Sequence, residues 1–394
     1  MSRCSGFFLL LLGSPVWGSS YWQDQPLTPD WQQYLQQSVQ LKQQDQQQFT
    51  KELTALGLTK ALAAPKAKNF GLEAISSAAE LAAVLSYQTP SGGWSKRTDM
   101  RQPRRPGQWA GAEPAYIPTF DNSATSSQIR WLMNYYPQAD GAARQRIRHS
   151  LDKALQFLLQ AQFPNGGFPQ TYPLRGGYHD AATLNDHVMT DLLSLLSDIS
   201  QSPLFSTEQQ QQASQSFQRG VQFLVKAVVV LNGRPTVWTA QHHPLTLAPV
   251  AARKFEQVSL VSTESAKLLA LLLGKASDQP GVHRTLCYGA LWLQQHQITD
   301  KKWQRTATGS SLVPEKGRVL WARFYSLKDE KPVFFDRDGQ TYSDVNQLSL
   351  ERQQGYGWYQ SEGKAFLKAW AKRPELQQQC APSQQELGHA TKAP

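Results

Sequence analysis

The sequence has few cysteines, few charged residues and no long apolar run. Three cysteines among 394 residues exclude a small fold held together mainly by disulfides. No apolar stretch reaches the ~20 residues that cross a bilayer, so we expect no membrane partner. A Gly-x-Ser-x-Gly motif and a phosphate-binding glycine loop are also missing from the sequence, which argues against a serine hydrolase and against a nucleotide-dependent enzyme.

What the sequence does contain is aromatic and basic. Hydrophobic residues make up 40% of the chain, with 12 Trp, 13 Tyr and 16 Phe, and this richness excludes a chain that is disordered throughout. Lys and Arg outnumber Asp and Glu by 40 to 30. The excess indicates an acidic partner, namely nucleic acid, an anionic lipid surface or a polyanionic polysaccharide.

Residues 1–18 are predicted to be a secretory signal peptide. Arg3 precedes a short apolar core at residues 7–12, and small residues follow it. A secreted or periplasmic protein is therefore expected, with no nucleic acid as partner. Loss of the signal would leave Cys287 and Cys380, and the sequence leaves open whether they form a disulfide or remain thiols.

The rest of the chain divides into three predicted segments. Residues 19–68 form a Gln-rich helical segment, with its helix near 32–56, and a linker. Residues 69–374 form the catalytic domain, and residues 375–394 form a polar tail. We expect the protein to act as a monomer.

A repeated unit organises the predicted catalytic domain. Helices predicted at 72–87, 151–161 and 217–231 each end at a glycine turn, with a spacing near 70 residues. A polar-capped helix follows each turn, the third one after Ser262-Thr-Glu264. These helical hairpins predict an all-α fold, an (α/α) toroid or barrel with long loops, short irregular strands and a central cleft.

Acidic and amide residues stand in the loops of these units. Asp121 and Asn122, and likewise Asp180, could cap helices or could supply the oxygen ligands that Ca²⁺ prefers. Asp186 stands close to the start of another helix. A zinc site is disfavoured, because the histidines lack a metal-binding spacing.

Three arginines form a second group of candidates. Arg253, Arg323 and Arg337 lie among aromatic or acidic neighbours. Each could make a surface ion pair, or could bind a carboxylate through the two-point contact that a guanidinium allows.

Several of these residues fall in longer motifs that occur in one order between about residues 70 and 358. The motifs are Gly92-Gly-Trp94-x-Lys96-x-x-Asp99-Met100, Thr119-Phe-Asp-Asn-Ser-Ala-Thr125, Gln162-Phe-Pro-Asn-Gly-Gly167, Gly176-Gly-Tyr-His-Asp180 with Asn185-Asp186, Val237-Trp238-x-Ala-Gln-His242, Ala252-Arg-Lys-Phe-Glu256, Ala322-Arg-Phe-Tyr325 and Asp336-Arg-Asp-Gly339. Together they resemble the pectate lyases of polysaccharide lyase family ten.

The resemblance implies a toroid whose central cleft binds polygalacturonate together with Ca²⁺. It implies cleavage of the α-1,4-linked polymer by β-elimination, giving 4,5-unsaturated oligogalacturonates. Arg253 matches the family's base, which removes the proton at C5 of the uronate. The other matches imply calcium ligands at Asp121, Asn122 and Asp180, and substrate-binding residues at Arg337, Arg323, Lys96, Trp94, His179 and Trp238.

This chemistry explains why cations are needed. The C5 proton is α to a carboxylate, so its removal adds charge to a group that is already negative, and Ca²⁺ and guanidinium groups offset that charge. Arginine is an unusual base because its ordinary pKa exceeds ~12. The chain departs from the family at Thr239, His243 and His187, which could change subsites or calcium affinity.

Two other functions remain open from the sequence. A non-catalytic relative would bind pectin without cutting it. An inverting glycoside hydrolase on an α/α barrel would need two carboxylates, for which Asp121 and Asp186 are candidates.

Overall fold

The computed structural model describes residues 20–23, 25–67 and 78–380. The helices of this part are α1 Pro29–Ala55, α2 Ala78–Ser86, α3 Ser126–Tyr135, α4 Gly141–Ala161, α5 Val188–Ile199, α6 Thr207–Lys226, α7 Ser262–Lys275, α8 Val282–Gln295, α9 Leu350–Gly355, α10 Glu362–Trp370 and α11 Pro374–Gln378. The strands are β1 Ala182–Thr183, β2 Val230–Leu231, β3 Arg234–Pro235, β4 Gln241–His242, β5 Pro249–Val250, β6 Leu260–Val261, β7 Ile298–Thr306, β8 Gly309–Ala322, β9 Phe324–Tyr325, β10 Phe334–Phe335, β11 Thr341–Tyr342 and β12 Tyr359–Gln360. None of the described helices has the length and apolar character that crossing a membrane requires.

The helices pack in two rows. Helices α3, α5, α7 and α10 pack one against the next, and α4, α6 and α8 do the same beside them. Within each consecutive pair, α3 packs on α4, α5 on α6 and α7 on α8, while α1 packs on α4. Each long loop between pairs therefore leads from a helix of the second row to the next helix of the first row.

The predicted repeat is visible in the hydrogen bonds of two glycine turns. In the first turn, the Gln88 side-chain amide donates to the Ser150 carbonyl at 3.0 Å, and the Ser150 hydroxyl donates back to Gln88 Oε1 at 2.8 Å. In the second turn, Gln162 and Ser216 make the same pair of bonds at 2.9 and 2.7 Å. Each glutamine thus joins the end of one helix to the helix that packs beside it.

Glycine is required at both turns. Gly92 has a φ of +118° and Gly166 a φ of +98°, values that other residues rarely adopt. A Cβ atom at these positions would lie 2.5 Å from the Lys153 carbonyl oxygen and 2.1 Å from that of Arg219. The double-glycine motifs are explained by this close approach of each turn to the neighbouring helix.

The prediction of an all-α toroid is wrong. Helix accounts for 48% and strand for 14% of the structure, with several small sheets, so the fold is mixed. The largest departure is the antiparallel hairpin of β7 and β8, which β12 extends to three strands in the order β12-β8-β7. The sequence analysis predicts only short irregular strands, yet Trp303 pairs with Leu312 in the regular register of this long hairpin. Aromatic and β-branched residues favour such strands.

A second difference concerns the helix predicted at 217–231. The helix α6 ends at Lys226, and residues 230–231 form strand β2, which pairs with β3. The connecting residues Asn232 and Gly233 both have positive φ values, +52° and +76°, as a two-residue hairpin turn requires. The run of valines before the turn also favours strand over helix.

A disulfide joins Cys287 in α8 to Cys380 at the end of the described chain, with a Cα–Cα distance of 5.5 Å. It ties the first residues of the segment predicted as a polar tail, residues 375–394, to the helical core. Residues 381–394 and the predicted signal peptide lie outside the described residues.

Changing both cysteines to serine should lower the free energy of unfolding by about 2–4 kcal/mol. The disulfide closes a loop across a sequence separation of 93 residues, so its loss enlarges the entropy of the unfolded chain. Urea unfolding with and without a dithiol reductant measures this. The reductant should destabilise the wild-type protein and leave the double variant unaffected. Equal stability of the two proteins without reductant would contradict the expectation.

Candidate active site

Two equivalent turns place acidic groups next to each other. The turns Asp121–Ser123 and Asn185–His187 precede α3 and α5 and pack against one another. Asn122 has a φ of +53° and Asp186 a φ of +51°. Non-glycine residues rarely take this left-handed conformation, and it is often retained where function needs it. The second repeat thus places Asp186 where the first repeat has Asn122.

The two turns also share their hydrogen bonding. The Asn122 amide donates to Asp121 Oδ1, and the Asn185 amide donates to Asp186 Oδ2, both at 2.9 Å. Burial and the negative charge of Asp121 raise the pKa of Asp186 to about 6, although Arg323 acts in the opposite direction. The site therefore holds two carboxylates whose mutual repulsion is only partly offset.

Lys96 lies beside Asp121 in the buried part of the site. Its ammonium group pairs with Asp121 and, at 3.6 Å, with Glu113. The same nitrogen lies 3.6 Å from the centre of the Tyr116 ring. Lys96 is thus fixed next to the acidic pair, where it can also attract an anionic ligand.

Arg323 and Glu264 form a buried ion pair, with Nη2 2.7 Å from Oε1. Burial alone would lower the pKa of Arg323, but the charge of Glu264 together with those of other nearby acidic groups raises it. Arg323 Nε and Glu264 Oε2 are buried and have no hydrogen-bond partner in the described part of the chain. The side chain of Arg323 as a whole is still 18% exposed, so its guanidinium can also meet an anionic oxygen.

Arg253 is held by Glu256. Its Nε donates to Oε2 at 2.7 Å and its Nη2 to Oε1 at 2.6 Å, a two-point contact. Tyr356 also donates to Glu256, at 3.2 Å. Burial alone would lower the pKa of Arg253, but the hydrogen bonds and charge of Glu256 raise it. In this arrangement Arg253 is a stable cation.

Three arginines surround the ring of Phe255. The guanidinium carbons of Arg253, Arg337 and Arg352 lie 4.9, 4.2 and 5.2 Å from the ring centre. We call these three residues the arginine trio. Arg337 pairs with Glu351 at 2.9 Å and is half exposed. Of the trio, Arg253 lies close enough to Asp186 for their charges to interact.

Arg352 is the member of the trio that the sequence analysis missed. It is buried, and its Nη2 has no partner among the described residues. Burial lowers its pKa, although the nearby Tyr356 acts in the opposite direction. Since Arg352 belongs to no recognisable motif, only the fold could reveal it.

His179 lies at the edge of the site. Its Nδ1 is 2.7 Å from Gln170 Oε1, and its ring lies edge-on to Tyr116 with centroids 5.3 Å apart. Burial, reinforced by Arg175 and other cations, lowers the pKa of His179 to about 4. The imidazole is therefore neutral at pH 7.

Asp180 faces a different part of the molecule from Asp121. Its Oδ1 accepts the backbone N–H groups of Arg175 and Gly176 at 3.2 and 3.0 Å, and Trp22 also donates to it. Burial raises the pKa of Asp180. The structure thus supplies Asp121 with Asp186 as its acidic neighbour, and ties Asp180 into the N-terminal packing.

Comparison with known proteins identifies the family. The sequence model of a family described as pectic acid lyase matches residues 88–367. The chain belongs to the pectic acid lyase family.

Two solved structures resemble this lyase, both of a family 10 polysaccharide lyase from Cellvibrio cellulosa. One is a mutant in complex with trigalacturonic acid, with 30% identity and a TM-score of 0.68 over 75% of this chain and 93% of that chain. The other has the same identity, TM-score and coverage of this chain, and 92% of its own chain is covered. No curated protein matches. The resemblance stated from the motifs is confirmed, and the chain is a polysaccharide lyase.

Trp94 and Trp238 serve the packing of this lyase. Their side chains are 0% and 1% exposed. Each indole N–H donates at 2.8 Å to a backbone carbonyl of the preceding helix, that of Val84 and that of Leu224 respectively. A fully buried indole does not reach a ligand, so the structure gives these residues a role in joining helices rather than a contact with substrate.

Motif matching gave no role to two further acidic residues of the site, Glu264 and Glu256. A signal for Glu264 was present, because Ser262-Thr-Glu264 begins the helix of the third repeat, as the turns at Asp121 and Asp186 do in the first two. Glu256 is the last residue of the Arg253 motif. Its role became visible only through its contact with Arg253.

Proposed function

We propose that this lyase cleaves polygalacturonate by calcium-dependent β-elimination. The observation that carries the proposal is the position of buried, partly unpaired Arg323 next to the acidic pair Asp121 and Asp186. The complex of the related lyase with trigalacturonic acid supports an acidic sugar as substrate. The charge balance of +10 suits a polyanion.

The donor set of the two turns fits calcium. We assign the ion to Asp121, Asn122 and Asp186, which offer the carboxylate and amide oxygens that Ca²⁺ prefers. The buried Asn185 Oδ1, in the same turn as Asp186, has no partner within the described chain. Burial and the negative charge of Asp121 raise the pKa of Asp186, and a cation would offset that charge. Asp180 is replaced by Asp186 in this assignment. When bound, the ion would neutralise the carboxylate of the uronate.

Three arginine side chains have separate roles in the proposed reaction. Arg323, whose side chain remains 18% exposed, would bind a uronate carboxylate, and Arg337 would bind another carboxylate through its fork. Arg253 is proposed to remove the C5 proton. Because Glu256 raises the pKa of Arg253, the neutral base is rare, and alkaline conditions should favour the reaction.

The disulfide between Cys287 and Cys380 supports the expected export of the protein, because disulfides persist in oxidising compartments. We therefore infer that the lyase acts in the periplasm or outside the cell, where a pectic polymer would be available.

Analysis of the products tests the proposed reaction. Polygalacturonate is incubated with the protein and Ca²⁺, and both new reducing ends and the ultraviolet absorbance of unsaturated uronates are followed. Elimination produces the two signals in equal amounts. Reducing ends without absorbance would indicate a hydrolase, and neither signal with retained binding would indicate a non-catalytic pectin-binding protein.

Changing Arg337 to lysine should lower kcat/KM for polygalacturonate by about tenfold to a hundredfold. The lysine keeps the positive charge but loses the two-point geometry that a carboxylate fits. Steady-state kinetics measure the effect.

Glu351→Gln is the control for Arg337, because Glu351 is the local partner of this arginine. The control variant should keep its activity if Arg337 serves the substrate. Full activity of Arg337→Lys would show that Arg337 only holds its loop.

A further inference from the structure

A cavity lies between α1 and the loop that follows α2. Its volume is about 580 Å³, within the range of small-ligand sites. One wall is formed by α1, from Lys42 to Glu52, and the opposite wall by Lys153, Arg175 and the loop near Trp109. Helix α1 precedes the residues 88–367 that match the family. One wall of the cavity is therefore formed by a helix outside the matched region.

The cavity carries more positive than negative side chains. Four cationic and two acidic residues line it. They are Lys42, Arg104, Lys153, Arg175, Asp45 and Glu52.

Both acids are engaged by protein groups. Glu52 accepts from the Arg104 guanidinium at 3.0 and 2.9 Å and from the Gly107 N–H at 2.7 Å. Asp45 accepts from the backbone N–H and the hydroxyl of Ser91, both at 2.7 Å. These contacts remove Arg104 and both acids from the groups available to a ligand.

The other three cations remain available. Within the described residues, the side-chain nitrogens of Lys42, Lys153 and Arg175 make no hydrogen bond and no ion pair within 4.0 Å. Burial lowers the pKa of Lys153, while the charge of Asp45 acts in the opposite direction. A partly buried, unpaired ammonium group is costly unless an anion joins it. The charges of the cavity therefore favour binding of an anionic ligand.

The cavity is connected to the active site through one aromatic ring. The Arg175 guanidinium lies 4.6 Å from the centre of the Tyr116 ring. The Lys96 ammonium lies 3.6 Å from the centre of the same ring, and Lys96 pairs with Asp121. The Tyr116 ring thus lies between a cation of the cavity and the cation that pairs with Asp121.

We propose that this cavity is an additional subsite, in which Lys42, Lys153 and Arg175 hold the carboxylate of a distal uronate on the same polygalacturonate chain. The proposal rests on the proposed function, since it places the polymer across the active site. Trp109, stacked on Phe49 with centroids 4.5 Å apart, offers an apolar surface for the sugar ring. A short substrate that fills only the active site would not reach the subsite.

The test compares substrates of two lengths. In the variant Lys42→Gln/Lys153→Gln, KM for a long oligogalacturonate should rise about tenfold. For trigalacturonate, kcat/KM should stay within about twofold of the unchanged protein. The matched control is Lys51→Gln/Lys60→Gln, which removes two exposed lysines of the same N-terminal region outside the cavity and should leave KM for the long oligomer nearly unchanged.

The outcomes separate this proposal from the proposed function. An unchanged KM for the long oligomer, or equal losses on both substrates, would overturn the subsite. If the wild-type protein cleaves neither substrate, the proposed function fails. The affinity for the long oligomer, measured by calorimetry in the variant and in the control, then tests the subsite on its own. Thermal unfolding checks that the variants fold, and Lys42→Glu, at an exposed position, provides a second variant that should weaken binding of the long oligomer.

Discussion

Changing Arg253 to alanine should reduce turnover of polygalacturonate by about 10³-fold or more, while binding of the polymer changes little. A group that takes a proton in the transition state contributes about 10²–10⁴-fold to the rate and adds little affinity for the ground state. Turnover is measured by absorbance of the unsaturated product, and binding by calorimetry on the same preparation.

The rate of the unchanged protein should also climb with pH without reaching a plateau in the neutral range. Burial would lower the pKa of Arg253, but Glu256 raises it above its ordinary value. Below that pKa the neutral form increases about tenfold for each pH unit, so log turnover should rise with a slope near one. A flat alkaline profile would contradict the role of Arg253 as base.

Arg130→Ala is the matched control for Arg253→Ala. Arg130 in α3 pairs with Asp198 at 2.5 Å and its side chain is 38% exposed, close to the 43% of Arg253 in its own ion pair. The control should keep its turnover even if it loses some stability. A folded Arg253→Ala variant that binds polymer and retains near-normal turnover would contradict the assignment. So would a loss of turnover that is proportional to the drop in thermal midpoint in both variants.

Changing Asp121 or Asp186 to asparagine should weaken calcium binding by about 10–100-fold or more and should stop cleavage at calcium concentrations that saturate the unchanged protein. Each substitution removes a carboxylate from the proposed donor set. Calcium-dependent shifts of the thermal midpoint measure the affinity independently of activity.

Asp186→Asn should have a further effect in calcium-free solution. The pKa of Asp186 is raised to about 6 by burial and by Asp121, so the folded protein holds this proton more tightly than the unfolded chain. The contribution of Asp186 to stability is therefore present at low pH and is lost as pH rises through about 6. Above this pH the calcium-free variant should unfold at a higher temperature than the unchanged protein, and a lower midpoint would contradict the electrostatics of the pair.

Asp180→Asn distinguishes the two possible acidic partners of Asp121. Asp180 accepts two backbone N–H groups away from the acidic pair, so its substitution should cost stability and leave calcium affinity nearly unchanged. Loss of calcium binding in Asp180→Asn, with normal binding in Asp186→Asn, would restore the assignment made from the motifs.

The sequence predicted the repeat of the fold well because its signals are local. Glycine turns such as those at Gly92 and Gly166 depend on backbone conformation and close packing. A double glycine after a helix is a recognisable sequence signal for such a turn. The long strands β7 and β8 were not predicted, because their stability comes from pairing with each other along a hairpin and not from a local signal. Strand formation depends more on context than helix formation does.

Only part of the candidate site could be predicted, because the motifs are local and the contacts between them are not. The motifs led to Asp121, Arg253, Arg323 and Arg337, but a motif gives no direction to a side chain. Asp180 matches a motif position and yet faces the N-terminal residues, whereas Asp186 is brought to Asp121 by the packing of two equivalent turns. Arg352 belongs to no motif and joins the site only through the fold around Phe255.

The central claim, calcium-dependent elimination, is tested most directly by following the absorbance of unsaturated uronates from polygalacturonate in excess chelator and then after adding Ca²⁺. The account predicts no increase in the chelator and full recovery when free Ca²⁺ is restored. Undiminished formation of the unsaturated product in excess chelator would contradict it.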